Sequence, residues 1–179
     1  MMRSGSIRGC LVLVLTSALA HDAWAQKSKT SEPESARRFV QAFYAWYVPL
    51  AKKDPSVTRA LRERRSQFRP ELARALRADL AASAANGNEV VGLDGDPFLN
   101  AQDPCDKYDA VSSTRVGATY HVGVVGKGWC KDHTTPDIVA EVTRRDGRWV
   151  FLNFIYSTKP KDNLMDLLTQ LQSDRGRKR

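Results

Sequence analysis

The sequence predicts an α+β domain in which N-terminal helices pack on a curved antiparallel sheet of about four strands, followed by a C-terminal helix. Two observations support this class. Apolar residues recur at helical spacing through the first half of the chain, whereas β-branched and aromatic residues dominate residues 110–156. Because helices and strands are segregated along the chain, we expect the helices to cover one face of the sheet.

The first residues have the pattern of a secretory signal peptide. Two arginines lie among the first nine residues, residues 10–20 (CLVLVLTSALA) are apolar, and an Ala-Trp-Ala motif ends at Ala25. A basic start, a short apolar segment and a small-residue cleavage motif direct export. We therefore expect cleavage near Ala25 and a periplasmic or secreted mature chain. The apolar run is too short to span a bilayer, so we expect no integral membrane segment.

The first helix is expected over residues 33–48. Ser31 and Glu34 have the spacing of a capping box, in which each side chain satisfies a backbone N–H group of the other. Phenylalanine, tryptophan, tyrosine and leucine then recur at helical spacing, which predicts a strongly apolar face directed to the core. Pro49 is expected to end or kink the helix, because proline disfavours helical geometry at the preceding residue.

Three further helices are expected. A short helix follows Pro55, and a longer one begins at Pro70 and stops at Asn-Gly-Asn, residues 86–88. Leucines at helical spacing over residues 163–172 predict the last helix. The single α+β domain is thus expected over residues 33–172, between the signal peptide with a flexible stretch at 26–32 and a basic tail at 173–179.

Four strands are expected in the second half of the chain. Their predicted ranges are 110–116, 119–125, 137–145 and 148–156. The dipeptide Asp146-Gly147 lies between the last two and strongly favours a tight hairpin. In the last strand both alternating faces are largely apolar, which is typical of a strand covered on part of both faces.

Cys105 and Cys130 remain after signal cleavage and are expected to form a disulfide. Paired cysteines in an oxidising compartment are usually bridged, and closing this loop would contribute about 3 kcal/mol in the chain-entropy model. A redox pair would need Cys-x-x-Cys and a zinc site would need more cysteine or histidine nearby. Free buried thiols are the alternative. Trp129 beside Cys130 is expected to pack on the disulfide, with an exposed anchor for a partner as the alternative.

Basic residues outnumber acidic residues, and the formal net charge is +8. Residues 59–80 contain seven arginines and three acids. Such a surface attracts anionic partners, although a solvated helix face is the simpler interpretation. Proteins that bind single-stranded nucleic acid interleave exposed aromatic residues with basic ones, and residues 59–80 offer only Phe68. We therefore expect no nucleic-acid partner and at most weak contact with anionic surfaces.

Residues 92–109 (GLDGDPFLNAQDPCDKYD), called here the aspartate loop, concentrate acidic and turn-forming residues. Oxygen donors at close spacing suit calcium, but an EF-hand loop requires other residues at the two positions held by Phe98 and Leu99. The simpler hypothesis is a turn whose carboxylates accept backbone N–H groups. A ligand-facing alternative is kept, without a metal. Its candidate contacts are Asp94, Asp96, Asn100, Gln102 and Asp103.

Catalytic signals are weak. A general base needs a carboxylate or histidine held in a pocket with a shifted pKa, and the candidates are Asp94, Asp96, Asp103 and His121. Strand alternation places His121 on the face opposite the apolar one, where it should be half exposed. Motifs for nucleophilic, zinc or nucleotide chemistry do not occur in the sequence. We expect no catalytic residue and no cofactor.

Two segments resemble a known family. The first is LDGDPF at residues 93–98 with Gln102-Asp103, and the second is DGRWVF at 146–151 with Asn153-Phe154 and Tyr156. They resemble an uncharacterised family of small exported bacterial proteins, some of them lipoproteins, whose fold is similar to the cystatin-like, nuclear-transport-factor-like cone. The resemblance covers roughly residues 36–171 and implies this fold but no known chemistry. Cys10 lacks a lipobox before it, so lipid anchoring does not transfer.

The functional hypothesis is an exported, non-catalytic module of the bacterial envelope that binds an unknown small ligand or an envelope protein. One alternative is a pocket enzyme that uses Asp94 or Asp103 as general base with a tyrosine, which rests on fold-level analogy alone. Another is a protein that neutralises a toxin or wall hydrolase through its basic helix face.

Overall fold

The computed structural model describes residues 30–53, 57–85, 92–130, 135–156 and 162–177. The α+β prediction is confirmed, because these residues form helices on the N-terminal side, an open antiparallel sheet and a final helix. The predicted signal peptide, the start of the second helix near Pro55 and the Asn-Gly-Asn stop lie outside the described residues. None of the described helices combines the length and apolar character needed to cross a bilayer.

The elements in chain order are α1 (Glu32–Ala51), α2 (Val57–Glu63), a short 3₁₀ helix (Arg65–Gln67), α3 (Pro70–Ala85), β1 (Lys107–Val116), β2 (Thr119–Lys127), β3 (Ile138–Arg145), β4 (Arg148–Ile155) and α4 (Leu164–Arg177). The sheet has the order β1-β2-β3-β4, and every neighbouring pair is antiparallel. Asp146 and Gly147 form the predicted hairpin turn with φ of 50° and 74°, the positive values that a tight two-residue turn requires.

Helix α1 differs from the prediction at both ends. It runs through Pro49 to Ala51, because a proline this close to the C-terminus removes only one backbone bond before the helix ends. Ser31 is the N-cap residue but makes no side-chain cap, so the predicted capping box is wrong. Glu34 instead accepts from Arg37 and Arg38 at 2.7 Å, and these guanidinium groups lower the pKa of Glu34 to about 2.

The core is built on aromatic rings around Phe43 of α1. Ring centroids within 6.1 Å of Phe43 belong to Tyr44, Trp46, Tyr47, Phe68, Phe98 and Phe151. These rings come from α1, the α2–α3 connection, the aspartate loop and β4, so one side chain of α1 contacts three segments that are distant in sequence. Edge-to-face and offset contacts of this kind add stabilisation beyond the burial of their area.

Helix α1 also covers the edge of β1 with side-chain hydrogen bonds. Gln41 donates to the carbonyl of Tyr108 at 3.1 Å and accepts from the N–H of Ala110 at 2.7 Å, and Arg37 donates to the Ala110 carbonyl at 3.1 Å. An uncovered strand edge leaves backbone groups free to pair with another chain. The helix therefore protects the first part of β1 and fixes its position against the sheet.

The predicted tail after Gln172 is not a structural boundary, because α4 continues to Arg177. Its last turns are held by an ion pair between Arg175 Nη1 and Asp79 Oδ1 of α3 at 2.6 Å. Asp79 is 3 % exposed and also accepts the N–H of Leu93 at 3.1 Å. A buried carboxylate requires a partner. The contact of Asp79 with Arg175 therefore stabilises α4 beyond residue 172, where the leucine pattern that predicted the helix ends.

Replacing Asp79 by alanine should lower the free energy of unfolding by about 3 kcal/mol, since it removes the buried carboxylate that contacts the Arg175 guanidinium and the Leu93 N–H. Urea unfolding followed by circular dichroism measures the change. Gln170→Ala, at an exposed position of α4, is the matched control and should stay within about 0.5 kcal/mol of the wild type. Equal losses for the two variants would show that the ion pair does not hold α4.

Candidate functional site

Four of the five tyrosines in the chain donate hydrogen bonds to four consecutive residues of the aspartate loop. We call them the tyrosine clasp. The pairs in loop order are Tyr47 with the Asp96 carboxylate (2.5 Å), Tyr156 with the Pro97 carbonyl (2.8 Å), Tyr44 with the Phe98 carbonyl (2.7 Å) and Tyr108 with the Leu99 carbonyl (3.3 Å). Because buried carbonyls and buried hydroxyls both need partners, each group satisfies the other.

Asp96 closes this turn from inside. Its Oδ1 accepts the backbone N–H groups of Phe98 at 2.8 Å and Leu99 at 3.2 Å, and its own N–H donates to the Ala101 carbonyl at 2.9 Å. Asn100 has a φ of 49°, the left-handed geometry that asparagine tolerates better than most residues. The carboxylate therefore satisfies peptide nitrogens, as the turn hypothesis for this loop expects.

The electrostatics around Asp96 oppose ionisation of its neighbours. Burial raises the pKa of Asp96, although the hydrogen bonds from Tyr47 and the two backbone N–H groups act in the opposite direction. Burial and the nearby carboxylate raise the pKa of Tyr47 and of Tyr156 well above the ordinary value. These hydroxyls remain protonated donors throughout the neutral pH range.

The five candidate ligand contacts of the aspartate loop are only partly brought together. Asp94, Asp96 and Gln102 line one cavity of about 320 Å³ with apolar neighbours from α1 and α2. Gln102 donates to the Asp94 carboxylate at 3.0 Å. Asn100 and Asp103 are exposed, do not line this cavity, and Asp103 makes no hydrogen bond within the described residues.

The disulfide between Cys105 and Cys130 is present, with the Cα atoms 5.4 Å apart. Gly126 lies beneath it, and a Cβ there would be 2.5 Å from the Cys105 sulfur, so a larger residue would collide with the bridge. Trp129 does not pack on the disulfide as expected, because it is 63 % exposed. Its indole donates to the Pro104 carbonyl at 3.1 Å, which holds the ring outside the core.

The remaining catalytic and metal candidates stay apart. His121 lies on the solvent side of the sheet with its Nε2 4.0 Å from Glu141, which agrees with the half-exposed position expected for it. In the part of the chain that the structure describes, acidic, histidine and cysteine side chains do not gather in threes around a common point. The nearest acid to His121 is thus a neighbour in the sheet, on β3.

A groove between the C-terminal half of α1 and the start of β1 was not anticipated from the sequence. Its volume is about 420 Å³. It is lined by Gln41, Tyr44, Ala45, Val48, Pro49, Lys52, Lys53, Asp106, Lys107, Tyr108 and Asp109. Tyr44 and Tyr47 lie three residues apart on an otherwise apolar helix face. Because buried hydroxyls need acceptors, this spacing could have predicted hydrogen-bond acceptors near α1, and Tyr44 also lines the groove.

The groove carries three lysines and two aspartates, which pair in part. Lys52 contacts Asp106 at 2.7 Å, and Lys107 contacts Asp109 at 3.0 Å. Lys52 and the N–H of Trp129 lower the pKa of Asp106. Lys53 forms no ion pair with any residue that the structure describes. Among these residues, one positive charge at the groove is therefore left without a carboxylate.

No protein-family model, curated protein or solved structure matches this chain. The resemblance inferred from the LDGDPF and DGRWVF segments therefore stays a prediction, and the function is inferred from the residues and their geometry.

Replacing Tyr47 by phenylalanine should lower the free energy of unfolding by about 1–3 kcal/mol, because it removes the donor to a buried carboxylate. Urea unfolding measures the loss. Tyr120→Phe is the matched control, since its hydroxyl donates to Glu32, whose side chain is 57 % exposed and can recover water. A larger loss for Tyr120→Phe would contradict the clasp.

Asp96 should make stability fall as the pH rises. Its pKa in the folded state is raised above the ordinary value of 3.8, so the folded protein holds the proton more tightly than the unfolded chain. The stabilisation that comes from the raised pKa of Asp96 is fully present below pH 3.8. It is lost as the pH rises through the pKa of Asp96 in the folded protein. Urea unfolding of wild type and Asp96→Asn from about pH 4 to about pH 7 tests this, because subtraction removes the other carboxylates. The difference, wild type minus variant, should decrease with pH, and a constant difference would refute it.

Proposed function

We propose that this protein is an exported, non-catalytic binding domain that holds a small, largely apolar ligand with an acidic group in the groove between α1 and β1. The groove of about 420 Å³ carries the proposal. Ligand sites are usually concave, several hundred Å³ in volume and mainly apolar, with a few polar groups that fix orientation. The secretory pattern of the first residues and the disulfide support an extracytoplasmic location.

The walls of the groove are held in place before any ligand arrives. Tyr44 and Tyr108 stack with ring centroids 5.7 Å apart, and both hydroxyls are bound to carbonyls of the aspartate loop. Gln41 joins the helix to the strand edge through two hydrogen bonds. Because ordering these side chains costs nothing at the moment of binding, such a groove suits ligand binding.

The polar groups of the groove favour an acidic ligand. Lys53 supplies an ammonium without a carboxylate partner among the described residues. An ammonium group pairs with a ligand carboxylate through charge-assisted hydrogen bonds.

The geometry of the aspartate loop favours binding over catalysis. The buried carboxylate, that of Asp96, already accepts from Tyr47, Phe98 and Leu99. A general base must instead be within hydrogen-bond reach of a substrate proton. The alternative of an enzyme that uses Asp94 or Asp103 therefore gains no support from the contacts of either residue.

Filling the groove should weaken ligand binding. Decanoate, an apolar chain with one carboxylate, is the probe, and isothermal titration calorimetry on the mature protein measures its affinity. Ala45→Phe places a ring in the groove and should weaken binding about tenfold or more, a loss of roughly 1.4 kcal/mol. Ala42→Phe is the matched control, since Ala42 is exposed on the same helix and does not line the groove.

Lys53→Ala tests the contribution of the ligand's acidic group separately from that of its apolar chain. It should weaken decanoate binding while leaving the weaker binding of neutral decanol unchanged, because only the carboxylate contacts the ammonium. Equal decanoate affinity in wild type, Ala45→Phe and Ala42→Phe would show that the groove is not the site. Lack of decanoate binding by the wild type would refute the proposed ligand class.

A further inference from the structure

Two surface clefts share a wall of arginines. The first, of about 760 Å³, lies between the α2–α3 connection and the β3–β4 hairpin, and the second, of about 550 Å³, lies between α2 and α3. Arg62 and Arg65 line both clefts. The arginines of the two clefts, called here the arginine track, are Arg62, Arg65, Arg69, Arg77, Arg145 and Arg148.

The track has a surplus of positive charge. The acids that line the first cleft are Glu63 and Asp146, and the described lining of the second includes no acid. Glu63 also pairs with Arg59, which lies outside the track, at 3.0 Å. The track arginines without an ion pair to any described residue are Arg65, Arg77, Arg145 and Arg148, and Arg77 donates to the Leu61 carbonyl at 3.3 Å. Unneutralised guanidinium groups gathered around a concave surface attract anions, because a cleft focuses the field of its charges.

The two walls of the first cleft are fixed to each other. Phe68 forms a parallel β-bridge with Phe151 of β4, and the N–H of Arg69 donates to the Phe151 carbonyl at 2.9 Å. Arginines that are far apart in sequence are thereby held around one space. A site built on such joined elements needs little reorganisation to bind a ligand.

Arg69 also has a donor without an acceptor. Its Nε is buried and makes no hydrogen bond, although Glu71 Oε2 lies 3.0 Å away in a direction unsuitable for one. The two side chains still form an ion pair. Arg69 therefore adds less surplus positive charge to the track than the arginines without a carboxylate.

The lining of the clefts identifies the chemistry of the ligand. Guanidinium groups offer parallel N–H donors that match the oxygens of phosphate. The aromatic residue of the lining, Phe68, is 4 % exposed and cannot stack on a base. Single-stranded nucleic acids are usually held by such stacking. Because Arg62 and Arg65 line both clefts, a chain of anionic groups can pass from one cleft into the other.

We propose that the arginine track binds a linear polymer of phosphate groups through their oxygens, with Arg62 and Arg65 contacting the part that crosses between the clefts. This site is separate from the α1–β1 groove and shares no lining residue with it. The sequence predicted a solvated basic face over residues 59–80. In the structure the β3–β4 hairpin adds Arg145 and Arg148 to this face, so the basic residues surround a cleft.

Binding of orthophosphate, tripolyphosphate and a longer linear polyphosphate to the full mature protein tests the proposal, with calorimetry at several salt concentrations. Affinity should rise with chain length, and the logarithm of the binding constant should fall linearly with the logarithm of the salt concentration. Equal affinity for orthophosphate and the long polymer would show that the track binds one phosphate group at a time, and would overturn the proposal.

The decisive comparison uses two variants with the same change in net charge. Substituting Arg65, Arg145 and Arg148 by glutamine should weaken the binding of long polyphosphate about tenfold or more. It should also lower the salt slope by roughly one for each phosphate group that the variant no longer neutralises. Substituting Arg38, Arg115 and Arg177, which lie off the track, by glutamine should leave both quantities nearly unchanged. Similar losses of affinity in the two variants would mean that polyphosphate is attracted by the net charge of the protein, and would contradict a site at the arginine track.

Two further measurements separate this site from its alternatives. Ala45→Phe should bind polyphosphate like the wild type, because the groove is not involved. Arg77→Gln should weaken the long polymer more than tripolyphosphate, since Arg77 lines only the second cleft. Tighter binding of single-stranded DNA than of polyphosphate with the same number of phosphates would indicate recognition of bases and would refute the proposal.

Discussion

The need of the buried residues 97–99 of the aspartate loop for hydrogen-bond partners is the constraint on which the rest of the structure depends. Three consecutive carbonyl groups, at residues 97–99, are removed from water and would each be costly without a donor. The tyrosine clasp supplies these donors from α1, from β1 and from Tyr156, which directly follows β4. Meeting one local requirement therefore brings a helix, an edge strand and the last strand to the same place, and Phe98 then packs on Phe43 at 5.4 Å.

The same contacts connect stability with the proposed function. Tyr44 and Tyr108 are clasp residues and also form the wall of the α1–β1 groove. Both residues line the groove while their hydroxyls are bound to the loop, so the shape of the groove depends on the position of the loop. The aspartates likewise serve either stability or the groove. Asp79 and Asp96 accept hydrogen bonds from backbone N–H groups, whereas Asp106 pairs with Lys52 at the exposed rim of the groove.

Charge is segregated between the interior and the surface of this basic protein. The buried acids are matched by tyrosine, arginine or backbone donors, while the arginines of the track remain on the surface and, among the described residues, in part without carboxylates. An arginine at a surface position costs little when unpaired, because water solvates it, but several around one concave surface repel each other. The groove and the arginine track are two separate surfaces, one mainly apolar and one strongly basic.

The sequence by itself determined the α+β class, the four strands, the Asp146-Gly147 hairpin and the pairing of Cys105 with Cys130, since periodicity, turn chemistry and cysteine number are local properties of the chain. It also suggested that the loop carboxylates shape a turn, which the contacts of Asp96 bear out. Only the tertiary structure decided that α4 continues to Arg175 and beyond, that four tyrosines converge on one loop, and that hairpin arginines join those of α2 and α3. These features arise from contacts between residues far apart in sequence, and a side-chain pattern that repeats every two or four residues carries no information about which distant residues it will meet.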